Sequence, residues 1–310
     1  MTDVVVVDYN AGDVLERCLA SVERAQESGA SIGVVCVVVN GELSEAVEQR
    51  AKRGVIRVVL PPTNVGFSAA CNLGAAIGTG RFILFLNPDT EICGAALEAP
   101  PDHLLRPGNE HVGICGVTLT TPEGAIAASC LEFPTFSHFL NKALGLGYLS
   151  PTRFKTGMML GWDHGCTRVV DCVMGAFFFV RRELFSRLGG FDERFFVYYE
   201  ELDFARRAKD LGFLTVFLHD ASICHVGRAT TDRIPARRLY YSLTSRAAYA
   251  RKHLGVGTEL ATWLLSLVVE MPARVTLASL TGRGTEVRAA LEVWGRLWKA
   301  AASVALGAKR

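Results

Sequence analysis

Residues 64–90 read NVGFSAACNLGAAIGTGRFILFLNPDT, and this stretch decides the fold. An Asn-Val-Gly-Phe turn opens a helix of small residues over 67–78, an apolar strand follows over 82–87, and an Asp leaves the carboxyl end of that strand. Gly66 lets the backbone approach a ligand closely, Ser68 is placed to cap the helix, and Asn72 lies one turn in. N–H groups at the helix start and an amide then face a ligand together, an order that suits a sugar nucleotide. Asp89 stands where a metal diphosphate needs a hard oxygen ligand. The competing reading is an ordinary α/β loop, helix and strand in which Asn87-Pro88-Asp89-Thr90 is only a turn.

The flanking sequence alternates in the same way. A strand at 3–8 precedes a helix whose apolar positions Leu15, Cys18, Leu19 and Val22 keep helical spacing, with Asp13 as its cap. A strand at 33–39, a polar helix near 44–53 and a strand at 55–60 complete the run. Uninterrupted Val, Ile and Leu predict strands buried on both faces, hence a largely parallel sheet with helices on both sides and ligands beyond the strands' carboxyl ends. The first strand leads into Asp8-Tyr9-Asn10-Ala11-Gly12-Asp13, which lacks the G-x-G-x-x-G of a dinucleotide-binding dehydrogenase; a P-loop is absent too.

A second stretch, 173–213, reads VMGAFFFVRRELFSRLGGFDERFFVYYEELDFARRAKDLGF. Together the two stretches resemble glycosyltransferase family 2, the inverting GT-A enzymes, and in particular its rhamnosyltransferase-like branch. That branch carries N-x-G-F, N-P-D-T, G-A-x-x-x-V-R-R, G-G-F-D-E-x-F-F and an acidic cluster, all found here in that order. The likeness covers about residues 3 to 255 and is weakest from 98 to 165.

The resemblance implies an α/β chain of the GT-A nucleotide-diphospho-sugar transferase fold. A mostly parallel central sheet carries helices on both faces, and a C-terminal helical extension follows. Residues 1–230 would form the catalytic domain and 231–310 a basic extension. It also implies site residues. Tyr9 and Asn10 would contact the nucleotide, with Asn40, Asn64, Gly66, Asn72 and Asn87 completing the donor site. Asp89 and His225, in the CHVGRAT segment 224–230, would hold Mg²⁺ or Mn²⁺. Glu201, with Glu200 beside it, takes the place of the catalytic base, and Gly175 and Asp203 would face the acceptor. Three positions depart from what many relatives carry: Glu201 stands where the catalytic Asp is usual, Asn87 replaces the first Asp of Asp-x-Asp, and Val39 precedes Asn40-Gly41-Glu42 where relatives place an Asp that hydrogen-bonds the pyrimidine. Valine accepts no hydrogen bond, which leaves the nucleotide base open.

The chemistry asks for these groups. Breaking a sugar–phosphate bond leaves charge on the nucleotide diphosphate, which a divalent cation stabilises. An acceptor hydroxyl needs a carboxylate to take its proton, and one such base suffices for a single inverting displacement. Plainer readings stand beside each assignment. Asn10 could simply end its strand, and His225 could be a satisfied structural histidine. Gly175 could serve tight strand packing. Glu200-Glu201-Leu202-Asp203 could be a solvated helix start paired with Arg206 and Arg207. The aromatic run FDERFFVYYEE could stack on sugar rings or fill a core.

With 310 residues, half of them hydrophobic, the chain can build one large core and an appendage. Its net charge of +2 is unevenly placed. Residues 231–310 hold 13 Lys and Arg against 5 Asp and Glu, a net of +8, leaving −6 for residues 1–230. A basic tail on an acidic body suits an anionic surface, either membrane phospholipid or nucleic acid; the partner expected is the membrane surface and not nucleic acid. Nine cysteines without a C-x-x-C pair read as buried, reduced thiols, and no leader precedes the first strand; both point to a cytoplasmic protein. In the tail, 260–269 (LATWLLSLVV) is apolar but too short to span a bilayer, and Glu270, Pro272 and Arg274 interrupt any extension. A helix near 285–306 places Val287, Leu291, Trp294 and Trp298 on one face. These segments read as an interfacial anchor on the inner face of the membrane, with Trp263, Leu264 and Leu267 inserted. Packing on the catalytic body, or on a second subunit in a homodimer, is the alternative. Arg237, Arg238, Arg246, Arg251 and Lys252 could meet the diphosphate of a lipid acceptor.

The function expected is inverting transfer of a sugar, L-rhamnose from dTDP-rhamnose, to a saccharide or polyprenyl-diphosphate-linked acceptor in cell-envelope polysaccharide synthesis. The alternatives are a UDP-hexose or other donor, and a catalytically silent sugar-nucleotide-binding partner of an assembly complex.

Overall fold

The computed structural model describes residues 1–226 and 235–305, with only the backbone of Pro235 and Ala305, and the chain falls into two compact units. The boundary expected at 230, the end of the CHVGRAT segment and the end of the helix expected to reach 306 lie outside the described residues.

The first unit comprises Met1–Phe133, Trp162–Glu193 and Glu200–Thr230. Its sheet runs, in order, Arg57–Val59, Ile32–Val39, Thr2–Asp8, Phe82–Leu86, Phe177–Arg181, Val112–Thr120, Leu214–His225 and Thr90–Ile92. The first four are parallel neighbours, and Val112–Thr120 runs parallel to Leu214–His225. Phe177–Arg181 is antiparallel to both its neighbours, and Thr90–Ile92 is antiparallel to Leu214–His225. Burial on both faces explains the unbroken apolar strands. Val4, Val6, Val35 and Val37 share a core with Leu15, Cys18, Leu19 and Val22 of helix Asp13–Glu27. On the opposite face helix Phe67–Ala75 lies so close that a Cβ at Gly74 would collide with Val5 and come 3.1 Å from Val38. Helix starts differ from the expectation: Gly12 and Gly66, both at positive φ, are the N-caps, so Asp13 and Ser68 lie inside the first turn.

The two arginines that close G-A-x-x-x-V-R-R belong to the frame. Arg181 donates to the carbonyls of Leu104, Val112 and Asn109, and Arg182 to those of Ala75 and Gly80. Arg182 also pairs at 2.7 Å with buried Asp3, whose carboxylate accepts from the Val34 and Gly80 N–H groups. Cys18, Cys36, Cys71, Cys115, Cys130 and Cys172 are buried free thiols, whereas Cys93 and Cys166 are exposed, contrary to a uniformly buried set.

The second unit comprises Pro134–Gly161, Arg194–Tyr199 and Thr231–Arg310. Helices Pro235–Leu254, Val256–Leu264, Met271–Leu280 and Gly284–Ala305 enclose a core of Leu243, Ala247, Trp263, Leu267, Met271, Ala290, Val293 and Leu297. The expected interruption at Glu270, Pro272 and Arg274 does not occur. A π-helical segment, Leu265–Glu270, joins two α-helices into a continuous run from Val256 to Leu280. Pro272 closely follows the π-helical segment, where the ladder of α-helical bonds is already interrupted. This run has 25 residues and a mean hydropathy of 1.4, long and apolar enough to cross a membrane by length and composition. Its inward face nevertheless carries Glu259, Thr262, Ser266 and Glu270, all buried. Glu270 pairs with buried Arg246 at 2.7 Å, and Glu259 pairs with Arg251 at 2.7 Å. Arg246 and Arg251, expected to be available to a lipid diphosphate, are therefore spent on these carboxylates. Trp263 and Leu267 lie in the core and only Leu264 of the expected trio is exposed.

Candidate active site

The loops leaving the first three parallel strands are tied together by side-chain amides. Asn40 donates to the Gly66 carbonyl at 2.9 Å and accepts from Val65 N–H at 3.3 Å. Its own N–H reaches the Asp8 carbonyl at 2.8 Å. Asn10 adopts φ 56° and accepts from Glu42 N–H at 2.8 Å, and a Cβ at Gly41 would collide with its Oδ1. Asn64 accepts from Gly66 N–H at 2.9 Å, holding Gly66 at φ 86°. Asn10, Asn40, Asn64 and Gly66 thus form one assembly, with exposed Asn10 and half-buried Tyr9 at its rim. Asn72 is not part of it. Its amide accepts from Phe191 N–H at 2.9 Å and donates to the Phe191 carbonyl and to Glu193, so its employment is to anchor the G-G-F-D-E turn.

Asp89 meets His225 by strand pairing. Thr90 opposes His225 in register, and Val226 N–H donates to the Asp89 carbonyl at 3.0 Å. The Asp89 carboxylate, nearly buried, then lies 3.4 Å from His225 Nε2. Thr90, fully buried, fixes the turn by donating its hydroxyl to the Asn87 carbonyl at 2.6 Å. Asn87 N–H in turn reaches the Ala176 carbonyl at 3.1 Å, which sets Gly175 beside the turn. A Cβ at Gly175 would meet nothing within 4 Å, so tight packing does not explain that glycine. Among the described residues no group of three or more His, Cys, Asp or Glu is gathered for a metal. A cation held by Asp89 and His225 would draw its remaining ligands from a diphosphate and water, for which one carboxylate and one imidazole are a fitting pair.

Helix Glu200–Asp210 opens after Tyr198 and Tyr199, both at left-handed φ (70° and 73°), a conformation that costs bulky residues energy and is concentrated at functional sites. The acidic start is not solvated. Glu200 is 5% exposed, and one carboxylate oxygen of each of Glu200 and Glu201 is buried without a hydrogen-bond partner. Burial, then the neighbouring Glu201 charge, holds Glu200 far above the usual carboxylate range, and burial raises Glu201. The charge of Glu200 raises the buried Cys71 thiol and those of both acids the Cys172 thiol. Helix Glu200–Asp210 packs on the strand Cys172–Val173, which leads to Gly175. Asp203 does not face an acceptor: it is wholly buried and ion-paired to Arg207 at 2.8 Å. Arg207 carries on to the Leu188 and Gly190 carbonyls and fixes the double-glycine turn. Thr90 and Asp3 are the positioning residues that motif reading passed over; Thr90 was visible as the last residue of N-P-D-T.

Residues 3–115 match the model of glycosyl transferase family 2. The N-acetylglucosaminyl-diphospho-decaprenol L-rhamnosyltransferase of Mycobacterium tuberculosis, in two strains, is 30% identical over 256 residues, 77% of this chain and 81% of the relative. The chain belongs to glycosyltransferase family 2. Solved structures agree on the fold. The mannosyltransferase PcManGT from Pyrobaculum calidifontis, in complex with GDP-Man and Mn²⁺, is similar with a TM-score of 0.52 at 17% identity, covering 99% of this chain and 88% of that one. GalNAc-T7 with UDP, GalNAc and Mn²⁺ gives 0.53 at 17%, covering 74% of this chain but only 43% of that larger one. A GT-A-like sheet with C-terminal helices is therefore the architecture of this family 2 glycosyltransferase.

Proposed function

We propose that the chain transfers L-rhamnose from dTDP-L-rhamnose, with inversion, to an N-acetylglucosaminyl diphospho-polyprenol during cell-envelope polysaccharide synthesis. The observation that carries this reading is the pairing of Asp89 with His225 beside the turn that holds Gly175, in a chain 30% identical to a transferase of that name. Asp89 and His225 would hold Mg²⁺ or Mn²⁺, which when bound supplies charge to the departing diphosphate. Tyr9, Asn10, Asn40, Asn64 and Gly66 receive the nucleotide, and Asn87 the sugar diphosphate. Gly175 leaves room for the acceptor. Glu201 takes the proton of the acceptor hydroxyl as its oxygen bonds to the anomeric carbon; the bond from that carbon to the diphosphate oxygen breaks on the opposite side, and the nucleotide diphosphate leaves. Glu200, whose burial disfavours its charged form, limits the charge placed beside the base.

The first unit is assigned the chemistry and the second the membrane. The run Val256–Leu280 exposes Val256, Leu260, Leu264, Val268, Leu277 and Leu280 while it buries glutamates, an inverted amphipathicity that suits an apolar surface outside. With the basic charge of 231–310 this supports peripheral attachment to the anionic inner face of the cell membrane.

A donor panel tests the reading. Purified protein with Mn²⁺ and a short-chain isoprenyl-diphosphate N-acetylglucosamine should turn over dTDP-L-rhamnose at least about tenfold better, in kcat/KM, than UDP-glucose or UDP-galactose. Preference for a UDP-hexose would replace the donor assignment, and turnover of none would leave a silent sugar-nucleotide-binding protein.

A further inference from the structure

We propose that the excursion Pro134–Gly161 of the second unit is a docking surface for an anionic lipid bilayer, with Tyr148 and Leu149 entering the apolar layer and Lys142, Arg153 and Lys155 meeting the headgroups. The proposal rests on the membrane attachment proposed above and adds a surface distant in sequence from the run Val256–Leu280.

The excursion is folded on itself. Helix Phe136–Ala143 buries His138 and Phe139 and packs on Val256–Leu264 and Leu265–Glu270 of the same unit. Leu140 and Leu144, one turn apart at its end, are exposed. Gly145 at φ 68° stops the helix, and Leu146–Tyr148 makes one tight turn. The returning chain is tied back, because Asn141 donates its side-chain amide to the Lys155 carbonyl at 2.9 Å and Phe154 N–H reaches the Ser150 carbonyl at 2.9 Å. A hydrogen-bonded loop thus holds Tyr148 and Leu149 outward, 97% and 77% exposed, and Leu160 is exposed where the excursion ends. Among the described large apolar side chains only Leu280 stands out as far. Burial in the fold does not account for these side chains; contact with an apolar layer outside it does.

Charge selects the occupant. Residues 134–161 contain Lys142, Arg153 and Lys155, all exposed, and no Asp or Glu. Apolar side chains standing out of a cationic, acid-free surface match a layer with anionic headgroups outside and hydrocarbon beneath. The ring of Tyr148 suits the boundary between the two, since its hydroxyl stays with the headgroups while its apolar body is covered. A second copy of this surface would set cations against cations. Nucleic acid offers phosphate but no hydrocarbon for Leu140, Leu144, Leu149 and Leu160.

Vesicle sedimentation with full-length protein tests the proposal without donor or transfer, so an error in the proposed donor or linkage leaves its result intact. The parent should bind vesicles of phosphatidylglycerol and phosphatidylcholine at least about tenfold more tightly than vesicles of phosphatidylcholine alone. Tyr148→Ser combined with Leu149→Ser should weaken binding to the anionic vesicles at least about tenfold. Arg153→Gln combined with Lys155→Gln should weaken it about fivefold and flatten its dependence on salt. Melting temperature and nucleotide-sugar binding should stay as in the parent in both variants, since the altered side chains are exposed. Unchanged vesicle affinity in the Tyr148 and Leu149 variant overturns the proposal and leaves attachment to the run Val256–Leu280. A parent that ignores both kinds of vesicle overturns the attachment as well. The proposal also falls if the parent is a dimer by light scattering and the Tyr148 and Leu149 variant a monomer, which would make the surface a contact between copies.

Discussion

Glu201→Gln is expected to lower the transfer rate by about 10²- to 10⁴-fold with donor affinity unchanged, because an amide of nearly the same shape cannot take the acceptor proton. Single-turnover transfer and calorimetric donor titration read the two quantities separately. The environment of the pair adds a pH signature. Burial raises both carboxyls above the ordinary range, so Glu201 is protonated and idle at pH values where an exposed glutamate is already ionised. Activity should climb with pH through that raised value, and the climb should vanish in Glu201→Gln. Stability moves the other way. The folded state holds these protons more tightly than the unfolded chain does, so the pair's contribution is intact below the unfolded pKa and is lost as pH rises through the folded one. A mild Glu201→Gln beside a crippled Glu200→Gln would move the base to the more deeply buried neighbour.

Asp89→Asn should reduce transfer by about 10²- to 10³-fold, the worth of several kcal/mol of charge stabilisation at the leaving diphosphate. The amide keeps the shape of the turn, and the bonds that hold it, Thr90 hydroxyl to Asn87 carbonyl and Val226 N–H to residue 89 carbonyl, do not involve the carboxylate. Thermal stability should therefore change little. Excess chelator should abolish turnover in the parent protein and added Mn²⁺ or Mg²⁺ restore it. Full activity in chelator would remove the cation from the account and leave Asp89 and His225 as a structural pair.

What the sequence disclosed, and what it hid, follows from the range of each interaction. The turn at 64–66 and the strand at 82–86 were legible because their requirements are local: a glycine at positive φ, an apolar run, a polar exit. Asn72 was not legible. Its partners stand at 191 and 193, more than a hundred residues away, and an amide one turn into a helix after a glycine loop looks like a ligand contact until that turn is placed against it. Asp203 misled for the same reason, since the spacing to Arg207 gives an ion pair but cannot say that both are drawn under the double-glycine turn. The tail shows the opposite error. Glu270, Pro272 and Arg274 read as breakers because their charge and ring are visible, whereas the buried Arg246 that neutralises Glu270 and the π-helical segment that precedes Pro272 are not. The union of Asp89 with His225 came from family resemblance; the register of Thr90 with His225 supplies its physical cause.

The central claim is a single displacement driven by one carboxylate, and the anomeric configuration of the product tests it most directly. With dTDP-L-rhamnose and an isoprenyl-diphosphate N-acetylglucosamine, the ¹H and ¹³C spectrum of the purified disaccharide lipid should show a rhamnosyl linkage opposite in anomeric configuration to the donor. A product that retains the donor's configuration would contradict the account, because a lone base at Glu201 cannot deliver two inversions.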